Sequence, residues 1–334
     1  MSAMTARALW LTPPHGACLR TETLPFPGEN DLVIRTRFSA ISRGTEMLVY
    51  DGAVPESEYT RMRAPFQAGE LPGPVKHGYA NVGVVESGPA GWIGQTVFCL
   101  YPHQSRYVVS PEAVVTVPDS VPAGRAVLAA NMETAVNALW DAGPRVGDRI
   151  AVVGAGVIGC LTAALCARIP GVTVQLIDID PSRADTAQAL DVGFAAPETA
   201  CGGCDLVFHA SATSAGLDTA LSLAGDEAEI IEMSWFGTRP TTAPLGGAFH
   251  SRRLTLRATQ VGTVAPARAA RWDHSQRLAL AVSLCADSRL DALIDEDAVF
   301  DMLPEVMARL ADPADRTLCQ RIVYPDPPDE PCIN

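Results

Sequence analysis

The chain contains a single lysine, Lys76, in 334 residues, and every other basic side chain is an arginine. A codon bias accounts for that shortage, which carries no information about fold. Basic charge is scarce altogether: 25 lysine and arginine residues face 38 aspartates and glutamates, a net charge of −13. Such a surface repels a phosphate backbone, so nucleic acid is not an expected partner. No apolar run reaches the roughly 18 residues of a membrane span, and none is expected. The opening MSAMTARALWLTPPHG lacks the charged region, apolar stretch and cleavage site of a secretory signal. The nine cysteines are odd in number and scattered from Cys18 to Cys332, unlike a disulfide framework. A reduced, cytoplasmic protein is the expectation.

At this length a single core gives way to two, so two domains are expected, and 48% hydrophobic residues suffice to fill them. From Arg149 the text RIAVVGAGVIGCLTAALCARIPGVTVQLIDIDPSRA reads as strand, glycine turn, helix, Pro-Gly break and second strand. This is one βαβ unit. Gly154 suits the tight turn, Gly156 lets a pyrophosphate approach the backbone, and Gly159 permits close packing of helix on strand. The helix opens at Val157 and Ile158, where unpaired amides and the dipole favour an anion.

Asp178 ends the second strand. A carboxylate there accepts hydrogen bonds from the adenosine ribose hydroxyls and repels a 2′-phosphate, which favours NAD(H) over NADP(H). Arg183, five residues on, is within reach of the same ribose. The plainer alternative is that Asp178 and Asp180 cap a helix beginning near Pro181. Further strands at 205–209, 228–233 and 254–259 continue a doubly wound parallel sheet. Ligands of such sheets lie beyond the carboxyl ends of the strands, which nominates Ala210, Ser211, Ser234 and Trp235 as cofactor-lining residues. For Trp235 a place in the core is the alternative.

Residues 1–119 carry short strand-like runs broken by Gly and Pro, an irregular β domain. Residues 120–262 are the nucleotide-binding domain. Residues 263–334 carry two helical stretches, RWDHSQRLALAVSLCAD and FDMLPEVMARLAD, then a strand, LCQRIVYP, and a loose tail from Pro325.

Several segments bear a resemblance. AISRGTE at 40–46 is similar to GICGTD, and GYANVGVVESG at 78–88 is similar to GHEAxGxVxxxG; together with the glycine turn, Asp178 and the closing segment they resemble the medium-chain dehydrogenase/reductase superfamily. The SRGTE and KHGYANVG segments look most similar to the branch containing bacteriochlorophyllide hydroxyethyl dehydrogenases. The resemblance implies an α/β fold, a GroES-like β-rich catalytic domain plus a Rossmann domain. Residues 263–334 would return to the catalytic domain, the active cleft would lie between the domains, and the last Rossmann strand would pair two copies into a homodimer.

The resemblance breaks at the metal. Where zinc alcohol dehydrogenases carry Cys, His and Glu ligands, this sequence has Ser42 or Arg43, Tyr79 and Ala80. The four-cysteine structural lobe is also missing, since 98–109 holds only Cys99. Cys201 and Cys204 form a CxxC with no second pair and read as loop residues. No zinc is expected, so another group must handle the proton while hydride moves to or from the nicotinamide. The candidates are Thr45, in place of the family hydroxyl, then Lys76, His77 and Tyr79 around the missing metal histidine, and Glu133 near the third ligand region. For Lys76, His77 and Tyr79 a surface or packing role is the alternative, and for Glu133 a carboxylate at a helix start. Glu46 reads as a structural acid; His103 and Gln104 either rim the substrate mouth or sit in a solvated loop. His15, His209, His250 and His274 have no partner legible in the sequence.

The leading functional expectation is a zinc-independent oxidoreductase that uses NAD(H) on a small-molecule secondary alcohol or ketone. A zinc-free enoyl or quinone reductase, and a non-catalytic NAD(H)-binding sensor or scaffold, are the alternatives. Motif similarity does not transmit a substrate.

Overall fold

The structure, a computed structural model, describes residues 3–325. Cys332 and all but the first residue of the expected loose tail lie outside that range. The chain divides into two compact units, Met1–Leu128 with Ile294–Asn334, and Ala129–Leu293.

The first unit opens with β1 (Thr5–Thr12), β2 (Gly16–Thr23), β3 (Leu32–Ile41), α1 (Arg43–Tyr50), β4 (Ala68–Gly69), β5 (Val75–Lys76), β6 (Asn81–Ser87), β7 (Thr96–Cys99), β8 (Arg106–Val109) and β9 (Val114–Thr116). In β1, Ala6 and Ala8 are buried while Thr5 and Arg7 are exposed, the two-residue period of a strand with one face on a core. It belongs to an antiparallel sheet in the order β2-β1-β5-β4. The ten-residue β3, LVIRTRFSAI, organises the larger sheet by pairing with β6 and β8. Leu32, Ile34, Val85, Val97, Tyr107 and Val109 pack together there, and each full aliphatic burial contributes roughly 1.5–3 kcal/mol.

The second unit begins with α2 (Ala129–Ala142) and runs β10 (Arg149–Val153), α3 (Val157–Cys166), β11 (Thr173–Ile177), α4 (Arg183–Ala189), β12 (Gly193–Ala195), β13 (Cys204–His209), α5 (Ser214–Leu223), β14 (Ala224–Glu232), β15 (Thr255–Ala258) and α6 (His274–Leu284). Its six strands are all parallel, in the order β12-β11-β10-β13-β14-β15. In β10 only Arg149 is exposed, as expected of a parallel strand covered on both faces.

The compact units divide at Leu128/Ala129 and Leu293/Ile294, whereas the sequence led one to expect domain divides at 119/120 and 262/263. The reason is packing. Helix α6 lies against α2 and is fixed at its start by a capping box between Asp273 and Gln276, so residues 263–293 stay with the parallel sheet. The return to the first unit begins only afterwards, with β16 (Ala298–Val299), α7 (Leu303–Leu310) and β17 (Gln320–Val323). The last strand, found where LCQRIVYP led one to expect it, runs antiparallel to β3 from Gln320↔Ile41 to Val323↔Phe38. It completes a sheet ordered β16-β17-β3-β6-β7-β9, with β8 also on β3. Among the described residues no helix is long and apolar enough to cross a membrane.

Candidate functional site

In the second unit, β10 ends in the glycine turn. Gly154 has φ +107°, and a Cβ there would meet Ser211 N at 2.6 Å, so both conformation and space demand glycine. A Cβ on Gly159 would lie 1.8 Å from Gly154 O, which is the close helix-on-turn contact read from the sequence. Gly156, the N-cap of α3, has nothing within 4 Å of its Cβ position. That open face, beside the unpaired first-turn amides at Val157 and Ile158, fits the pyrophosphate of a dinucleotide.

Asp178 stands just beyond β11, half-buried. Its Oδ2 accepts the Ala155 N–H at 2.7 Å and its Oδ1 accepts the Asp180 N–H at 2.9 Å. The carboxylate is thereby locked to the glycine turn with lone pairs remaining. Neither acid caps α4, whose N-cap Ser182 has no side-chain capping bond; Asp180 Oδ1 instead closes the turn before the helix, accepting the Ser182 N–H at 3.1 Å and the Ser182 hydroxyl at 2.7 Å. Arg183 Nε lies 3.7 Å from Asp180 Oδ2, which places its side chain beside the acid that follows Asp178.

The ends of β13 and β14 supply the rest. Ala210 N donates to Val153 O at 2.8 Å, which holds the 210–211 segment against the glycine turn. The last residues of the two adjacent strands, His209 and Glu232, are in register. Their side chains pair, His209 Nδ1 to Glu232 Oε2 at 2.6 Å, and His209 Nε2 lies 2.7 Å from Ser211 Oγ. Ser234 donates its N–H to Glu232 Oε1 at 2.8 Å, and its hydroxyl accepts the Ala212 N–H at 3.1 Å. Trp235 is half-buried. The pairing of His209 with Glu232 was not read from the sequence; the available signal was a pair of polar residues closing two neighbouring parallel strands.

The first unit holds a separate polar cluster around α1. Glu46 is fully buried, accepts the Ser42 N–H at 2.8 Å on Oε1, and takes His103 Nε2 at 2.9 Å on Oε2. His103 Nδ1 lies 2.8 Å from Ser39 Oγ, which lies 3.0 Å from the Tyr324 hydroxyl. Burial alone would raise the Glu46 carboxyl; His103, His77 and the Ser42 amide outweigh it and hold the group below the ordinary carboxylate range. With Glu46 ionised, His103 Nε2 carries the proton, and the hydroxyls of Tyr324 and Ser39 donate in turn toward it. His103 thus sits in a connection that is buried and hydrogen-bonded, not in a solvated loop, and Gly78, at φ +119°, passes directly over its ring.

Tyr79 packs edge-on against His77 with ring centroids 5.9 Å apart, and its hydroxyl is hydrogen-bonded to Ser42 and Thr45. Burial, reinforced by Glu46, pushes the phenol up to about 12, so it stays protonated at neutral pH. His77 is 1% exposed, and its Nδ1 has no partner. Burial pushes its imidazole down to about 4; Glu46 opposes that shift and His103 adds to it. Thr45, His77 and Tyr79 are therefore brought together.

Two other candidates are not. Lys76 donates from Nζ to Glu22 Oε2 and to Gln104 Oε1, both at 2.7 Å. Glu133 accepts from Arg277 Nε at 3.0 Å, and Arg277, 1% exposed, also donates to Asn137 Oδ1 and to the carbonyls of Val261 and Thr263. Burial pushes the Glu133 carboxyl up while Arg277 pulls it back. Each of the two side chains is thus held in an ion pair that includes none of Thr45, His77 and Tyr79.

A β-rich unit built from both chain ends and a six-stranded parallel sheet with a glycine turn define the class. The chain has the fold of the medium-chain dehydrogenase/reductase superfamily, with a GroES-like unit and a Rossmann unit. No family model matches it. It is 28% identical over 199 residues to L-galactonate-5-dehydrogenase of Escherichia coli K12, a match covering 54% of this chain and 58% of that protein. The chain thus matches less than two thirds of the length of that relative. L-Idonate 5-dehydrogenase from Escherichia coli is a structural neighbour at TM-score 0.78 and 14% identity, covering 97% of this chain and 99% of that one. A short chain alcohol dehydrogenase from Escherichia coli CFT073, complexed with NADH, matches at TM-score 0.74 and 14% identity over 97% of this chain and 100% of that one.

Proposed function

We propose that this protein is an NAD(H)-dependent oxidoreductase of a small secondary alcohol or ketone, and that it works without zinc. The observation that carries the cofactor reading is Asp178, fixed by two backbone amides beside the glycine turn. A carboxylate so held accepts from the ribose hydroxyls and repels a 2′-phosphate; the fold alone does not choose between the two dinucleotides.

The zinc-free reading rests on side-chain chemistry. Arg43 commits its guanidinium to the carbonyls of Asp312, Asp315 and Thr317, and a guanidinium, which has no lone pair to offer, cannot replace a thiolate ligand. Tyr79 takes the place of the metal histidine, and a phenol that remains protonated is a hydrogen-bond donor and a poor zinc ligand. A bound nicotinamide supplies or accepts the hydride. Tyr79 donates a hydrogen bond, then its proton, to the developing alkoxide oxygen of a ketone, and Ser42 and Thr45 orient its hydroxyl. The phenolate left on Tyr79 is reprotonated from solvent through the half-buried Ser42 and Thr45 hydroxyls, and in the alcohol-oxidising direction the same relay carries the substrate proton from Tyr79 out to solvent. The exposed strand β15 at the sheet edge is the proposed pairing edge of a homodimer, and the cytoplasm the proposed compartment.

Calorimetric titration with NADH and NADPH, metal analysis of the same sample, and hydride exchange across a panel of secondary alcohols test this reading. The expected result is tighter NADH than NADPH binding, with turnover in metal-free protein. Asp178→Ala narrows the preference by about tenfold, on the order of 1.4 kcal/mol. Stoichiometric zinc needed for turnover would end the zinc-free reading, and tight binding without exchange on any substrate would favour a sensor.

A further inference from the structure

The second unit holds a chain of four side chains that the function above does not use. His209 is fully buried and stands between Glu232 Oε2, 2.6 Å from its Nδ1, and Ser211 Oγ, 2.7 Å from its Nε2. Ser211 Oγ lies 3.1 Å from Thr213 Oγ1, which accepts the Gly216 N–H at 3.0 Å at the start of α5. The neutral imidazole tautomer with its proton on Nδ1 matches the acid on one side with a donor and the hydroxyl on the other with an acceptor. In that tautomer Glu232 accepts the Nδ1–H and the bare Nε2 accepts the Ser211 O–H. With its only proton committed inward, Ser211 takes the Thr213 hydroxyl proton and retains one lone pair as an acceptor. A carboxylate two bonds away increases the basicity of that oxygen through the polarised chain.

Topology says what that oxygen meets. The sheet order β11-β10-β13 places Asp178, the glycine turn and Ser211 at the carboxyl ends of three successive strands. Ser211 also touches the turn itself, its N only 2.6 Å from the Cβ position of Gly154. Resting on the dinucleotide reading, with the adenosine ribose at Asp178 and the pyrophosphate at the turn, the β13 end faces the other half of the molecule. We propose that Ser211, polarised by His209 and Glu232, is an acceptor for a hydroxyl of the terminal ribose of the bound dinucleotide. The half-buried Ser211 is partly open to solvent, as an acceptor awaiting a donor must be. Its lone pair favours a hydroxyl and disfavours a phosphate oxygen, which separates this position from the turn beside it. Ser211 touches the ligand; His209 and Glu232 act through it as positioning residues.

The test is a fragment series of AMP, ADP, ADP-ribose and NADH, titrated calorimetrically into the full chain and into Ser211→Ala, Ser211→Thr and His209→Gln, with melting curves for each. Only ADP-ribose and NADH carry the terminal ribose. Ser211→Ala is expected to bind AMP and ADP as the parent does and to bind ADP-ribose and NADH about five- to tenfold more weakly. Ser211→Thr, which keeps the hydroxyl, restores most of that loss. His209→Gln, which removes the bare nitrogen, loses two- to fivefold on the same two ligands. Equal losses on all four ligands, or no loss on ADP-ribose, would overturn this assignment alone and leave the dinucleotide reading standing. Failure of the parent protein to bind any of the four would remove both.

Discussion

The two units contain the same four-part chain in different settings. In the first, Tyr324, Ser39, His103 and Glu46 follow one another at 3.0, 2.8 and 2.9 Å. In the second, Thr213, Ser211, His209 and Glu232 do so at 3.1, 2.7 and 2.6 Å. Each carboxylate also accepts one backbone N–H at 2.8 Å, from Ser42 and from Ser234. The settings differ in access. Glu46 and Ser39 are 0% exposed, whereas the Glu232 side chain is 14% exposed and Thr213 lies at the surface. The sealed chain makes scaffold of polar groups, because an unpaired member has no water to turn to. The open chain keeps a lone pair for an incoming ligand.

The sharpest way to break that comparison is to remove each carboxylate in turn. Glu46→Ala strands His103 in the core and is expected to lower stability by about 3–5 kcal/mol in urea denaturation. Glu232→Ala, which water can partly repair, is expected to cost only about 1 kcal/mol, the smallest effect in this set. Equal losses would mean that access does not distinguish the chains.

Next in size is Tyr79, which the sealed chain influences through the Glu46 charge. Tyr79→Phe should reduce kcat for alcohol oxidation by about 10²–10³-fold while NADH binding is unchanged. An undiminished kcat would take the proton role away from it.

The unpartnered His77 offers a pH test. Its folded value, about 4, lies below the ordinary 6.5, so the unfolded chain binds the additional proton between those values. Stability should therefore fall as the pH drops from about 6.5 toward 4, by about 3 kcal/mol at most. His77→Gln should flatten that part of the profile, and an unchanged slope would assign the acid sensitivity to other groups.

Gly154, Gly156, Gly159 and Asp178 were legible in the sequence because their constraints are local. A positive φ, a close approach and a strand-end acid each leave a mark within 25 residues of text. The order of elements also disclosed the fold class, including a last strand that rejoins the first sheet. Lys76 and Glu133 could not be resolved the same way, since their partners Glu22 and Arg277 lie 54 and 144 residues away. The domain divide shifted for a related reason: the amphipathic pattern of α6 says that one face is buried and not against what.

The sequence by itself determined the turn geometry, the strand and helix periods and the acid that follows the second parallel strand, because these follow from backbone sterics and hydrophobic period over a few residues. Only the tertiary structure decided which acids and histidines pair, since hydrogen bonds are satisfied at 3 Å in space without regard to distance along the chain. That is why Glu46, read from the sequence as a structural acid with no partner named, and Glu232, not singled out there, emerge as the acid ends of two similar chains, one closed and one open.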